Sequence, residues 1–263
     1  MRGYIVEIKE ENKDFAIEFV KKYHYSKIMP RIMKHFLGFY ENDELLGIVI
    51  LGWGTQPLQT IKKIFYKDEV TTTDYAEISK MCFLPKVNNN KSFGSQCISC
   101  LVKWLKQNTS YKFLYTMADG IMGKCGYVYQ ASNFIYLGSF KTSVYLDINT
   151  GEKIHPRSAK LLLKENAEFD GVEKRFWLTD NFCKYKGIDK IQGLMFRYIM
   201  PLNKQGKKIL NKYDEYKNLE RPKDKDLLFE RRIYNGKFEK INQPDFNMSI
   251  FNYNYQNKKR RDA

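Results

Sequence analysis

The stretch from Tyr75 to Gly138 restricts the possible folds more than any other part of the chain. A mostly apolar run, Ile78 to Leu84, predicts a strand, and the polar, glycine-bearing loop from Pro85 to Ser95 follows it. Cys97, Ile98, Leu101, Val102 and Leu105 then recur at helical spacing and share one face. A second short apolar run, Phe113 to Ala118, delivers Asp119 at its carboxyl end. In α/β layers ligands bind beyond the carboxyl ends of strands, and a helix N-terminus offers N–H groups to phosphate. The pattern predicts a phosphate-bearing cofactor on the loop and a reacting acid near it.

Upstream, Tyr4 to Ile8 predicts a first strand, and Phe15, Ala16, Phe19, Val20 and Tyr23 predict a helix over residues 12–23. It ends at His24-Tyr25-Ser26, ahead of Pro30. Phe36 to Tyr40 and Leu45 to Trp53 read as two strands of a hairpin turning at Glu41-Asn42-Asp43-Glu44. Ile61 to Tyr66 reads as a short helix. Phe134 to Gly138 and Thr142 to Asp147 read as two further strands, and Met195 to Met200 as the last. An early hairpin argues against all-parallel winding. The expected fold is α/β (α+β), a GNAT-like mixed central sheet flanked by helices. Residues 1–200 are expected to form this domain, and 201–263 a basic, aromatic C-terminal extension that docks loosely or orders on a polyanion.

Charge narrows the partners. The chain has 263 residues with 45 Lys/Arg against 30 Asp/Glu, a net charge of +15. Phosphate neutralisation dominates nucleic-acid affinity, so DNA is the first candidate. The five cysteines are odd in number and scattered, which favours a reducing cytoplasm over a disulfide scaffold. Leu45 to Trp53, the longest apolar run, is too short to cross a bilayer, and Glu7 and Glu10 interrupt any leader, so no membrane partner is expected.

Several residues together carry a resemblance. His24-Tyr25-Ser26 after the first helix, the loop from Asn90 to Ser95, Asp119, and the run Gly126-Tyr127-Val128-Tyr129-Gln130-Ala131-Ser132-Asn133-Phe134 with Gly138 resemble the Mom-type DNA modification proteins of bacteriophages over about residues 1–200. The resemblance implies a divergent GNAT-like enzyme acting in the bacterial host cytoplasm. Such an enzyme adds a carbamoylmethyl (acetamido) group to N6 of adenine and shields phage DNA from restriction. Matching motif to motif, His24, Tyr25, Asp119 and Tyr129 fall at the catalytic positions. The implied donor is acetyl-CoA or a related acyl compound, although the loop lacks the fuller glycine pattern of ordinary acetyltransferases. An iron dependence is implied as well, with no metal ligands identified by the residues themselves.

The candidate donor-binding residues are Phe83, Lys91, Ser92, Gly94 and Ser95, which offer a cation, hydroxyls and a site of close backbone approach. The candidate DNA contacts are Arg31, Lys124, Lys174, Arg175, Trp177 and Arg197. Duplex DNA hides the adenine within the stack, so chemistry there favours a flipped base held against an aromatic wall, for which Tyr127, Tyr129 or Phe134 are available. Each candidate has an ordinary alternative. Asp119 precedes Gly120 and can form a turn, His24 can cap a helix, and each tyrosine is one of 19. Cys97 and Cys100 form a C-x-x-C without a second pair, which favours buried structural thiols over zinc. Two competing functions stay open: an N-acetyltransferase of a protein or small amine, and a non-catalytic DNA-binding protein. A homodimer is also open.

Overall fold

The computed structural model describes residues 3–54, 56–87, 89–90, 92–233 and 236–249. The predicted candidate Lys91 lies outside the described residues. The chain forms two compact units. The first comprises Met1–Ala118, Gly126–Gly138 and Phe196–Pro222; the second comprises Asp119–Cys125, Ser139–Met195 and Lys223–Ala263. This division differs from the one expected at residue 200. Leu202, Leu210 and Tyr213 are buried in the core of the first unit, so residues 201–222 are packed chain rather than a loose extension.

In the first unit, β1 (Tyr4–Glu7), α1 (Lys13–Tyr23), β2 (Met33–Glu41) and β3 (Glu44–Gly52) come first. α2 (Pro57–Ile64), β4 (Tyr75–Phe83), α3 (Phe93–Asn108), β5 (Phe113–Asp119) and α4 (Tyr127–Ala131) follow. Strands β1 to β4 are antiparallel neighbours, and β4 is parallel to β5. The β2–β3 hairpin turns through Asn42 and Asp43, both at positive φ, as a two-residue turn joining right-twisted strands requires. Chain turns of this kind fix the mixed sheet of a GNAT-like fold.

The two faces of the sheet are covered by different helices. Ala16, Phe19 and Val20 of α1 pack on Phe36, Ile48, Ile50 and Cys82. Ile61 and Ile64 of α2 share a core with Tyr75, Phe113 and Tyr115. On the opposite face Phe93 of α3 meets the rings of Phe39 and Phe83 edge-on, at 5.1 and 5.0 Å.

One irregularity shapes the middle of the sheet. Leu51 pairs with Ile78 and Ile50 pairs with Lys80, so Ser79 is an extra residue in β4. Such a bulge bends its strand and resets the alternation, and it places Glu77 and Lys80 on the same face, the one covered by α1 and α2. Pairing between β4 and β5 runs from Tyr75/Phe113 to Ile78/Thr116 and ends there, immediately before the bulge. Beyond it the two strands part.

The second unit contains most of β6 (Ile135–Asp147), then β7 (Lys153–Ile154), α5 (Pro156–Ala159), α6 (Leu163–Phe169) and α7 (Asp180–Lys186). It also holds the start of β8 (Ile188–Pro201) and, after α8 (Lys204–Leu210) and α9 (Asp214–Lys217) of the first unit, β9 (Phe229–Arg232) and β10 (Phe238–Lys240). The two strands expected over 134–147 are one continuous strand, and the last strand begins seven residues before the expected Met195. Its cores are Ile154, Leu162, Leu178, Phe182 and Ile188, and separately Ile121, Val144, Ile191 and Phe246. No helix among the described residues is long and apolar enough to cross a membrane.

Candidate active site

The fork lies where the pairing of β4 with β5 ends, at Ile78 and Thr116. At its base the Thr116 hydroxyl donates to the Ile78 carbonyl (3.4 Å), and the same hydroxyl is hydrogen-bonded to the phenol of Tyr129. Gly126, at φ +92°, opens α4 so closely against Tyr198 that a Cβ would fall 2.5 Å from its ring. That approach sets Tyr129 at the fork from the α3 side. Burial pushes its phenol above the ordinary tyrosine range, so at neutral pH it is a donor rather than a phenolate.

The α1/α2 face carries a polar cluster. His24 ends α1, and its ring stacks on Tyr25 at 4.3 Å. His24 Nδ1 lies 2.9 Å from the Ser26 N–H and 3.0 Å from the Ser26 carbonyl, so the ring is held to its own segment through that nitrogen. Buried Lys80 donates to both the carbonyl and the hydroxyl of Ser26, at 2.7 and 3.1 Å. Thus the His-Tyr-Ser segment is tied to β4 through Lys80, a link that the sequence does not signal.

Glu77 was not singled out by the sequence reading. It is 6 % exposed and lies on β4 one step before the fork, paired with Tyr115 across β5. Among the described residues no hydrogen bond or ion pair engages its carboxylate, and burial raises its pKa to about 7. Gly54 makes room for it: at φ +71°, a Cβ there would sit 2.3 Å from a carboxylate oxygen. The preceding residue, Trp53, has a buried indole N–H without a partner. The one signal available in the sequence was an acid inside the apolar run Tyr75-Ala76-Glu77-Ile78.

The loop candidates are partly engaged locally. Ser92 donates to the Asn90 side chain (2.9 Å), and Ser95 donates to the Ser92 carbonyl (2.8 Å). Ser92, not Ser95, precedes α3. A Cβ on Gly94 would lie 2.7 Å from Val128 of α4, so the residue also serves close helix packing. Phe83 closes β4 against Phe93.

Asp119 belongs to the second unit. Its carboxylate accepts from the Ile121 N–H (3.1 Å) and from Lys153 Nζ (2.9 Å), with both side chains largely buried. The structure therefore brings His24 and Tyr25 together and holds Tyr129 at the fork, while Asp119 is held by Lys153 in its own unit.

Among the DNA candidates, Arg31 and Lys124 are exposed. Lys174 lies over the Phe176 ring at 5.0 Å, and Phe176 and Trp177 are 71 % and 63 % exposed. Their loop is not loosely tethered. Fully buried Asn166 donates to Asp170 and Thr179 and accepts from the Thr179 N–H, while Arg175 Nε donates to Asp170 (2.7 Å). Arg197 donates to the Leu137 carbonyl (2.8 Å). Arg175 and Arg197 thus have structural contacts within their own units.

Cys97 is buried, with its thiol pushed up by burial, and Cys100 donates to the Gly3 carbonyl (3.0 Å); all five cysteines are free thiols. Among the described residues no three His, Cys, Asp or Glu side chains form a group able to hold a metal ion, so the iron implied by resemblance finds no support here.

Comparison with known proteins decides the family. The Mom protein family matches residues 5–223. The chain belongs to that family. It is 28 % identical over 190 residues to the methylcarbamoylase Mom of Escherichia phage Mu, covering 72 % of each chain. Among solved structures, an N-acetyltransferase from Staphylococcus aureus is similar at TM-score 0.39 and 15 % identity, covering 77 % of this chain and all of that one. An aminoglycoside acetyltransferase in complex with coenzyme A is similar at TM-score 0.39 and 10 % identity, covering 52 % and 87 %.

Proposed function

We propose that this Mom-family chain is a transferase that modifies N6 of adenine in phage DNA with a carbamoylmethyl group, protecting the DNA from host restriction. The observation that carries the proposal is the family match over residues 5–223. The geometry supports it. An acyl-CoA donor would lie along the parted ends of β4 and β5, with its phosphates toward the first turn of α3. Tyr129 would donate a proton to the departing group, and His24 and Tyr25 would line the approach of the amine. The net charge of +15 suits a polyanion. Arg31, Lys124 and Lys174 would meet phosphates, and exposed Trp177 would stack on an unpaired base.

A thioester delivers a carbonyl carbon and carries no nitrogen. Acetyl-CoA alone would therefore give N6-acetyladenine; a carbamoylmethyl group, joined to N6 through its methylene with the carbonyl as a primary amide, needs a co-reactant that supplies the amide nitrogen and a route that forms the N6–CH2 bond. Hydrolysing DNA from bacteria expressing the chain and weighing the nucleosides tests both points at once. A modified deoxyadenosine is expected, its mass naming the group and its DNA resisting restriction endonucleases. An unmodified profile would overturn the proposal in favour of a non-catalytic DNA-binding protein. Transfer from labelled acetyl-CoA to polyamines but not to DNA would favour a small-amine acetyltransferase.

A further inference from the structure

Burying an acid without a hydrogen bond or counter-charge is costly, and folded chains rarely tolerate it without a reason. Glu77 is such an acid. Its position is specific: on β4, one residue before the pairing with β5 ends, on the face shared with Lys80 and the His24–Ser26 segment. Tyr129 reaches the fork from the other face. Gly54, at positive φ, leaves the space that the carboxylate fills, and the adjacent Trp53 indole N–H is also unmatched. A donor and an acceptor, both unmet, flank the same corner of the sheet.

We propose that Glu77 is the base that takes the proton from the attacking amine. The inference rests on reading the chain as an amine-modifying transferase. For direct transfer from an acyl-CoA thioester, whose product is an N6-acyl amide, the amine nitrogen's lone pair forms the N–C bond at the carbonyl carbon; where the product is instead bonded through a methylene, N6 must still lose the same proton. The C–S bond breaks, and its electron pair leaves on sulfur as the thiolate. The nitrogen's proton passes to the Glu77 carboxylate, which later releases it to water. Asp119 is less suited to that task, because its carboxylate is already occupied by Lys153 and the Ile121 N–H. The ionisable groups around Glu77 are the phenols of Tyr75 and Tyr115; Arg197 acts on Tyr115, and the Lys80 ammonium is directed to Ser26. Burial places the acid's titration at about 7, where a base is most effective near neutral pH.

The test uses the full chain, wild type and the variants E77Q and E77D, on duplex DNA in extracts of bacteria, so that the cellular co-reactants of the modification are present, with the modified deoxyadenosine measured by mass. Wild type should show a rate that rises with pH to a plateau through a midpoint at about 7. E77Q should lose roughly 10²- to 10⁴-fold in rate together with that limb, while still binding DNA, and E77D should recover part of the rate. An active wild type alongside an E77Q variant with the same rate and pH profile would overturn the inference. So would an E77Q protein that melts below wild type at alkaline pH, since the acid would then be a structural asset. A wild type inactive on DNA would instead strike the functional reading itself, and the two failures are distinguishable.

Discussion

Asp119 and Glu77 are both largely buried acids on strands, and their units treat them in opposite ways. In the second unit Asp119 accepts from Lys153 and from a backbone N–H, so its charge is matched where it sits. In the first unit no described residue pairs with the Glu77 carboxylate, and burial shifts it toward the protonated form. A matched carboxylate contributes to folding, and removing it costs stability. An unmatched one costs stability by being present.

That contrast can be broken in several ways. The largest expected effect is at the matched pair: Asp119→Ala should lower unfolding stability by about 4 kcal/mol, because Lys153 keeps its buried ammonium and loses its acid. Urea denaturation measures this, and a loss within error would mean the pair is not what holds that part of the second unit. Next is the opposite sign at Glu77. Its pKa is raised from 4.5 to about 7, so its favourable contribution is complete below 4.5 and is lost as pH rises through 7. Glu77→Gln should therefore match wild type near pH 4.5 and exceed it by about 3 kcal/mol at alkaline pH. Melting curves across that range check the sign. Gly54→Ala should cost about 2 kcal/mol, through its positive φ and the crowding of the Glu77 carboxylate. The same substitution in an E77Q background should cost less, which a double-mutant cycle would reveal. The smallest effect is on the surface: Lys174→Ala should leave stability unchanged and reduce the salt dependence of DNA binding by about one phosphate contact.

Much of the first unit was legible in the sequence because its elements have clean periods. Phe15 to Tyr23 repeat at helical spacing and form α1, and the Glu41–Glu44 connection is the β2–β3 turn. The second unit was harder to read for a physical reason. Ser139, Phe140 and Lys141 are exposed in the middle of β6, so one long strand looked like two. β8 begins with Asp189, Lys190 and Gln192 at half-buried positions, where no apolar alternation announces a strand. Likewise Leu202, Leu210 and Tyr213 are too widely spaced among lysines to reveal that they complete the core of the first unit. Motif resemblance singles out His24 and Tyr25, which adjoin each other beside Lys80 of β4, and Tyr129, which bonds Thr116 of β5 on the opposite face. Glu77 was missed because an acid at the start of an apolar run reads as a strand boundary; only the fold shows it inside.

Ser79 sets the local bend of β4. Because it is the surplus residue of a bulge, removing it would leave every other side chain of β4 on its present side and in register with β3. What would change is the curvature of the strand. A straightened β4 is expected to pair further along β5 and narrow the fork between them.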